Sequence, residues 1–249
     1  MKAIILAAGY GTRLYPLTLK TPKALIKVAG LTILDRLYRN LARVSHLDRI
    51  YIVTNDKFAA DFNEWKKQLS ESGESSIPIE VVNDGSTKEE DKLGAIGDIG
   101  FVLKKFLIED DLLIVAGDNL IEDNLSEFAA FGVLLEAPVV ALRQFPESID
   151  LGQYNVVKTD VNGLITFFKE KPAGERGNVT AIALYFYPSN ILRFILEYLR
   201  SGGSKDQPGR LVEWLYRRTP VGTYKLKGMW YDIGSRESLS EAEDKFKFL

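Results

Sequence analysis

Short apolar runs alternate with longer amphipathic segments through the first half of the chain, and nothing else constrains the fold as tightly. Lys2 to Ala7 reads as a strand. Thr32 to Val44 reads as a helix, with Ile33, Leu34, Leu37, Tyr38, Leu41 and Val44 at helical spacing. Arg49 to Val53 is again strand-like, and Phe58 to Leu69 places Phe58, Phe62, Trp65 and Leu69 along one helical side. A strand at Ile77 to Val82, a helix at Ile99 to Phe106 and a strand at Leu112 to Ala116 continue the series. Strands separated by helices of this length pair in parallel through crossovers, so the chain is expected to be α/β.

The second half changes character. Pro138 to Leu142, Tyr154 to Lys158, Gly163 to Lys169 and Thr180 to Tyr187 read as strands, with Asp160-Val-Asn-Gly163 as a tight hairpin turn. Ile191 to Leu199 and Leu211 to Tyr216 read as helices around the loop SGGSKDQPG. No linker or internal repeat divides the 249 residues. The expectation is one domain over 1–249, with residues 1–135 as a nucleotide-type half and 136–249 as an elaboration continuous with the same sheet.

Composition removes several classes of function. At 46% hydrophobic residues the chain can build a large core. A net charge of -2 is unlike the basic balance of a nucleic-acid binder. There is no cysteine and a single histidine, His46, so a bound metal must be held by oxygen ligands. No apolar run reaches the roughly 18 residues of a membrane span, and the first strand lacks the pattern of a signal peptide. The expected location is cytoplasmic, with no nucleic-acid or membrane partner.

The first strand runs into GYGTRLYPLTLKTPKALIKV, Gly9 to Val28. A strand, then Gly-x-Gly, then a basic residue brings backbone N–H groups toward an anion. Pro16 and Pro22 with Lys20 and Lys23 make this a cationic, stiffened loop rather than a helix. In open parallel sheets ligands collect beyond the carboxyl ends of the strands. Asp118, in LLIVAGDNL, and Asn83-Asp84-Gly85, after IEVV, stand at such ends. Asp232 lies in KGMWYDIGS, ahead of a helix that Ser235 can cap. Two readings stand for Asp118 and Asp232: a cap or turn residue, or a carboxylate placed for magnesium over a phosphate. Arg13 and Lys23 are likewise either surface cations or fixed charge beside a triphosphate. Glu170-Lys171 before Pro172 is either a charged hairpin end or a polar clamp, with Gly152 and Tyr154 near the same ligand. Tyr10, Tyr15 and the aromatic residues of LYFYP read as packing, and His46 is assigned no role.

LAAGYGTRLYPLTLKTPKALIKV, with AGDN at 116–119, FKEKP at 168–172 and WYDIG at 230–234 in order, resembles the sugar nucleotidyltransferases. The resemblance runs from residue 1 to about 240. It implies a Rossmann-like fold with a central mixed, mostly parallel sheet. It also implies in-line attack by a hexose 1-phosphate, glucose or mannose 1-phosphate, on the α-phosphate of a nucleoside triphosphate, giving a nucleotide-sugar and pyrophosphate. Carried onto this chain, Gly9 and Gly11 shape the phosphate loop, and Leu6, Ala8, Thr12, Asn83 and Gly94 line the nucleotide. Arg13 holds the outer phosphates, and Lys23 contacts the phosphates at the reacting centre. Asp118 and Asp232 bind Mg2+, Glu170 orients the sugar and Lys171 grips its phosphate, with Gly152 and Tyr154 beside them. The attacking phosphate oxygen is already ionised, so no side-chain base is needed. Dimers are common in the resembled family, so a homodimer is expected.

One segment departs from the pattern. The thymidylyl and uridylyl branches carry a Gln-Pro-rich segment leading to Gly-Leu-Ala after the third strand. Here the chain reads NDGSTKEEDKLGAIGDIG, whose LGAIG is closer to the Leu-Gly-x-x-Gly loop of guanylyl and some other transferases. The resemblance extends to the branches typified by glucose-1-phosphate thymidylyltransferase and mannose-1-phosphate guanylyltransferase, and base choice among dTTP, UTP, GTP, CTP and ATP stays open. Lys88 to Lys92 is expected as a polar excursion over the nucleotide. Ending at Leu249, the chain is expected to be a short, single-activity form with little allostery. Two alternatives share part of the motif set: a cytidylyltransferase for a non-sugar phosphate such as phosphocholine, and a non-catalytic nucleotide-sugar-binding protein. The first does not need Glu170-Lys171, and the second need not keep Arg13, Lys23, Asp118 and Asp232.

Overall fold

A computed structural model describes residues 1–247. The early strands are β1 (Lys2–Leu6), β2 (Lys27–Val28), β3 (Leu31–Thr32), β4 (Arg49–Thr54) and β5 (Ile79–Asn83). β6 (Leu112–Ala116), β7 (Asn119–Ile121), β8 (Val139–Asp150) and β9 (Asn155–Thr159) follow, then β10 (Ile165–Glu170), β11 (Arg176–Tyr187), β12 (Gly222–Lys225) and β13 (Trp230–Asp232). The helices are α1 (Ile33–Leu41), α2 (Ala59–Glu71), α3 (Ala95–Phe106), α4 (Leu125–Leu135), α5 (Leu192–Arg200), α6 (Pro208–Leu215) and α7 (Arg236–Phe246). Together they make an α/β, Rossmann-like fold on a mixed, largely parallel sheet.

The chain packs as two compact units. The first holds Met1–Leu93, Val115–Ser126 and the chain from Gly228 onward; the second holds Gly94–Ile114 and Glu127–Lys227. In the first unit β1 pairs in parallel with β4, and β4 with β5. Ala3, Ile4, Ile5, Ile50, Ile52 and Val53 are fully buried, as strands covered on both faces require. α1 starts where Thr32 and Asp35 form a reciprocal capping box. Phe62, Trp65 and Leu69 are the buried side of α2, and the Trp65 indole N–H donates to Asp35 Oδ1 at 2.8 Å. β13 pairs antiparallel with β7, setting Asp232 opposite Asn119.

In the second unit β11 pairs antiparallel with β8, and β12 parallel with β8. β9 and β10 form a hairpin closed at Asp160–Gly163, where the Asp160 N–H donates to Leu164 O at 2.9 Å. Buried Asn155 acts as a side-chain strand: Oδ1 accepts from Ala181 N at 2.7 Å and Nδ2 donates to Ala181 O at 3.0 Å. It thereby ties the hairpin to β11.

Several elements differ from the sequence reading. The stiffened Gly9–Val28 loop is more ordered than its sequence specifies: it carries 3-10 turns at Thr12–Leu14, Leu17–Leu19 and Lys23–Leu25. Runs this short suit a segment punctuated by proline. α3 begins at Ala95, a turn before Ile99, because Gly94 adopts φ 78° as its cap. β8 continues past Leu142 to Asp150 and β11 starts at Arg176, as a polar ribbon with register shifts. Tyr15 is 41% exposed and is not a packing residue, whereas Tyr10, Tyr185 and Tyr187 are buried. α4, all apolar in LSEFAAFGVLL except Ser126 and Glu127, has no counterpart in the sequence reading.

Candidate functional site

The candidate residues divide between the two units. In the first, the loop after β1 is set by Gly11, which takes φ 64°. A β-carbon there would stand 3.0 Å from Thr18 Cγ2, and the Thr18 hydroxyl donates to Gly11 O at 2.6 Å. Glycine meets both the left-handed backbone and the close approach. Gly9, Thr12 and Arg13 are exposed, so their polar groups face solvent. Leu6 and Ala8 act through backbone: Leu6 O accepts from Gly117 N at 2.8 Å and Ala8 O from Asn55 Nδ2 at 2.9 Å.

Lys23 Nζ lies 2.7 Å from Asp118 Oδ2, joining residues 95 positions apart. Their side chains are 14% and 29% exposed, so the pair is partly shielded yet reachable. Asp118 Oδ1 accepts from Asn119 Nδ2 at 2.9 Å, and Asp118 O accepts from Ile233 N at 3.0 Å. The WYDIG segment is thus fastened to AGDN by backbone as well as by the β13–β7 pairing. The Trp230 indole reinforces this, donating to Asn119 Oδ1 at 2.7 Å. Gly234 brings the same segment against Arg13, whose guanidinium stands 3.4 Å from where a β-carbon would lie. Arg13, Lys23, Asp118 and Asp232 therefore belong to one neighbourhood of the first unit. Asn83 does not join them by any hydrogen bond of its side chain: Nδ2 donates to Asp56 Oδ1 at 2.7 Å and Oδ1 accepts from Gly85 N at 2.8 Å.

In the second unit β10 delivers Glu170 and ends there, and Lys171 follows with φ 45°. The Lys171 N–H donates to Tyr154 O at 2.8 Å, which fixes Tyr154 beside the pair. The Gly152 N–H donates to Asp150 Oδ1 at 2.8 Å in the same turn. Lys171 is exposed, while Glu170 is 8% exposed. Burial raises the Glu170 carboxyl above the ordinary glutamate range, with Lys171 and Arg210 pulling the other way. Gly94 is not with this group. A β-carbon there would stand 2.7 Å from Lys205 O, and Lys205 O accepts the Ile96 N–H at 2.7 Å. The 205–206 backbone accounts for that glycine within its own unit.

Sequence reasoning missed Glu213 and Gly209, both on α6. Glu213 accepts from the Glu170 N–H at 3.3 Å and from Lys169 and Arg210 at 3.2 Å each. Burial pushes Glu213 up, but those donors outweigh it and hold the carboxyl below its usual range. Nothing in the local sequence links positions about 40 apart, so only the fold reveals them.

Among the described residues no group of three or more acidic, histidine or cysteine side chains is gathered to hold a metal. No helix among them is long and apolar enough to cross a membrane.

The family model for nucleotidyl transferases matches residues 2–247. A Sulfolobus acidocaldarius protein named "Putative mannose-1-phosphate guanyltransferase" is 30% identical over 94% of this chain and 60% of its own length. A Synechocystis UTP–glucose-1-phosphate uridylyltransferase is also 30% identical, over 94% and 60%. The chain thus spans about 60% of the length of these two curated relatives. Among solved structures, a Bacillus anthracis "Putative Glucose-1-Phosphate Thymidylyltransferase" superposes with a TM-score of 0.85 at 23% identity, over 100% of this chain and 96% of the other. That likeness shows the fold. With the family match extending over nearly every described residue, and with GYGTR, AGDN and WYDIG fastened together in the first unit, the chain belongs to the nucleotidyl transferase family.

Proposed function

We propose that the chain transfers a nucleotidyl group from a nucleoside triphosphate to a hexose 1-phosphate, forming a nucleotide-sugar and releasing pyrophosphate. The observation that carries this reading is the Lys23–Asp118 pair, which draws the glycine loop and the end of β6 together. In the first unit, Leu6, Ala8, Gly9, Gly11 and Thr12 offer backbone to the nucleotide, and Asn83 stands at the next strand end. Arg13 holds the outer phosphates and the leaving pyrophosphate, and Lys23 neutralises charge at the α-phosphate. In the second unit, Glu170 accepts from sugar hydroxyls and Lys171 meets the sugar's phosphate, with Gly152 and Tyr154 shaping the turn beneath them. Gly94 acts within the second unit, through the close approach of the Lys205 backbone that it permits. On this reading residues 1–135 do mainly nucleotide work and 136–249 mainly sugar-phosphate work, with Asp232 returning to the nucleotide side.

The donor set suits magnesium. Asp118 and Asp232 supply two carboxylates on adjoining segments, and Mg2+ is usually held by one or two carboxylates with waters and substrate phosphates completing its shell. Bound there by Asp118 and Asp232, Mg2+ would supply charge neutralisation to the phosphates. Base and sugar are left unassigned, because relatives of equal identity are named for guanylyl and for uridylyl transfer.

The test is pyrophosphate release from five nucleoside triphosphates crossed with glucose and mannose 1-phosphate in magnesium, with phosphocholine as a further acceptor. Release that needs a hexose 1-phosphate supports the reading and names base and sugar. Release only with phosphocholine, or none at all, overturns it. Light scattering on the same sample tests the homodimer.

A further inference from the structure

Alanine is a better helix former than glycine, so a helical glycine with an ordinary backbone asks for a spatial reason. Gly209 is buried near the start of α6, after Pro208, and is not among the residues with positive φ. Its backbone would accept alanine. What stands in the way is one side chain: an added β-carbon would overlap Glu170 Oε2 and lie 2.7 Å from Glu170 Cδ. The next neighbour, Phe168 Cε1, is at 3.4 Å, an ordinary contact. The α6 surface is therefore hollowed at one residue to receive one carboxylate. A turn further along, Glu213 accepts the Glu170 backbone N–H at 3.3 Å. The same helix thus fixes the main chain of Glu170 and makes room for its head group.

We propose that Gly209 is a positioning residue, which sets where the Glu170 carboxylate stands and so tunes affinity for the sugar phosphate. The proposal rests on the sugar-binding role given to Glu170 above. It assigns a function to a position that touches neither substrate.

Gly209→Ala separates placement from folding, because the overlapping atoms are the far end of a flexible side chain and the helix itself prefers alanine. The expected result is a KM for the hexose 1-phosphate raised about tenfold or more, the loss of a hydrogen bond to a charged group. The KM for the nucleoside triphosphate stays within about twofold, and Tm does not fall. A crystal structure of the variant shows the Glu170 carboxylate displaced. An unchanged hexose 1-phosphate KM in the variant, with wild type active, overturns the positioning role and leaves the proposed reaction intact. A lowered Tm with both KM values raised together also overturns it, as a merely structural glycine. Failure of wild type to turn over any pair overturns the reaction and this inference with it.

Discussion

The two groups of candidate residues handle charge in opposite ways. In the first unit the carboxylate of Asp118 already has its counter-charge, Lys23 at 2.7 Å, and both side chains keep some exposure. In the second unit Glu170 is 8% exposed and its carboxyl is raised by burial, with cations nearby that do not cancel the effect. A site for a polyphosphate needs positive charge that is present but can be re-partnered, and a lysine shared with a carboxylate provides that. A site for neutral hydroxyls needs a fixed acceptor, and burial against a helix provides that at a cost in stability. The contrast can be broken or sharpened by substitution.

The largest effect is expected at Asp118 and Arg13. Asp118→Ala and Arg13→Ala should each lower kcat/KM for pyrophosphate release by about 10²–10³ or more, the scale of losing a preorganised electrostatic group. Retention of wild-type turnover in either would sever the first unit from the chemistry. Lys23→Met should cost a similar factor in rate, and only about 1 kcal/mol in a urea melt, since the pair is partly exposed.

Next comes Gly94→Ala. Its φ of 78° and the 2.7 Å approach to Lys205 O predict about 1–3 kcal/mol of destabilisation, a Tm lower by about 2–4 °C for each kcal/mol. A direct nucleotide-binding role would instead show as a raised nucleotide KM at unchanged Tm.

The smallest effect is on stability at Glu170. A carboxyl raised in the fold favours the folded state most when protonated, and that advantage is lost as pH rises through its folded pKa. Glu170→Gln should therefore melt higher than wild type at neutral pH. The gain should vanish below the ordinary glutamate pKa of about 4.3. The same variant should bind hexose 1-phosphate more weakly. A lower Tm at neutral pH would show that the carboxylate is stabilising, and the contrast between the units would fall.

Much of this was legible in the sequence because it is local. Apolar runs such as Lys2–Leu6 and Arg49–Thr54 mark strands without help, and the apolar stripe from Ile33 to Leu41 marks its helix. Asp118 and Glu170 were readable as strand-end groups for the same reason. What stayed hidden is non-local or lacks period. α4 is apolar on nearly every side, so no stripe distinguishes it. β8 carries Pro146 and polar residues through its second half, which the partner strand β11 holds and the sequence does not advertise. Gly209 and Glu213 act on Glu170 from about 40 residues away: the glycine reads as the end of the loop SGGSKDQPG, which α6 in fact absorbs from Pro208, and the glutamate reads as an ordinary helix residue.

The measurement that tests the division of labour most directly is the pair of KM values, for nucleoside triphosphate and for hexose 1-phosphate, in Arg13→Ala and Glu170→Gln. The account predicts crossed losses: Arg13→Ala raises the nucleotide KM about tenfold or more and leaves the sugar-phosphate KM within about threefold, and Glu170→Gln does the reverse. If either variant raises both KM values alike, the two units do not divide the substrates as described.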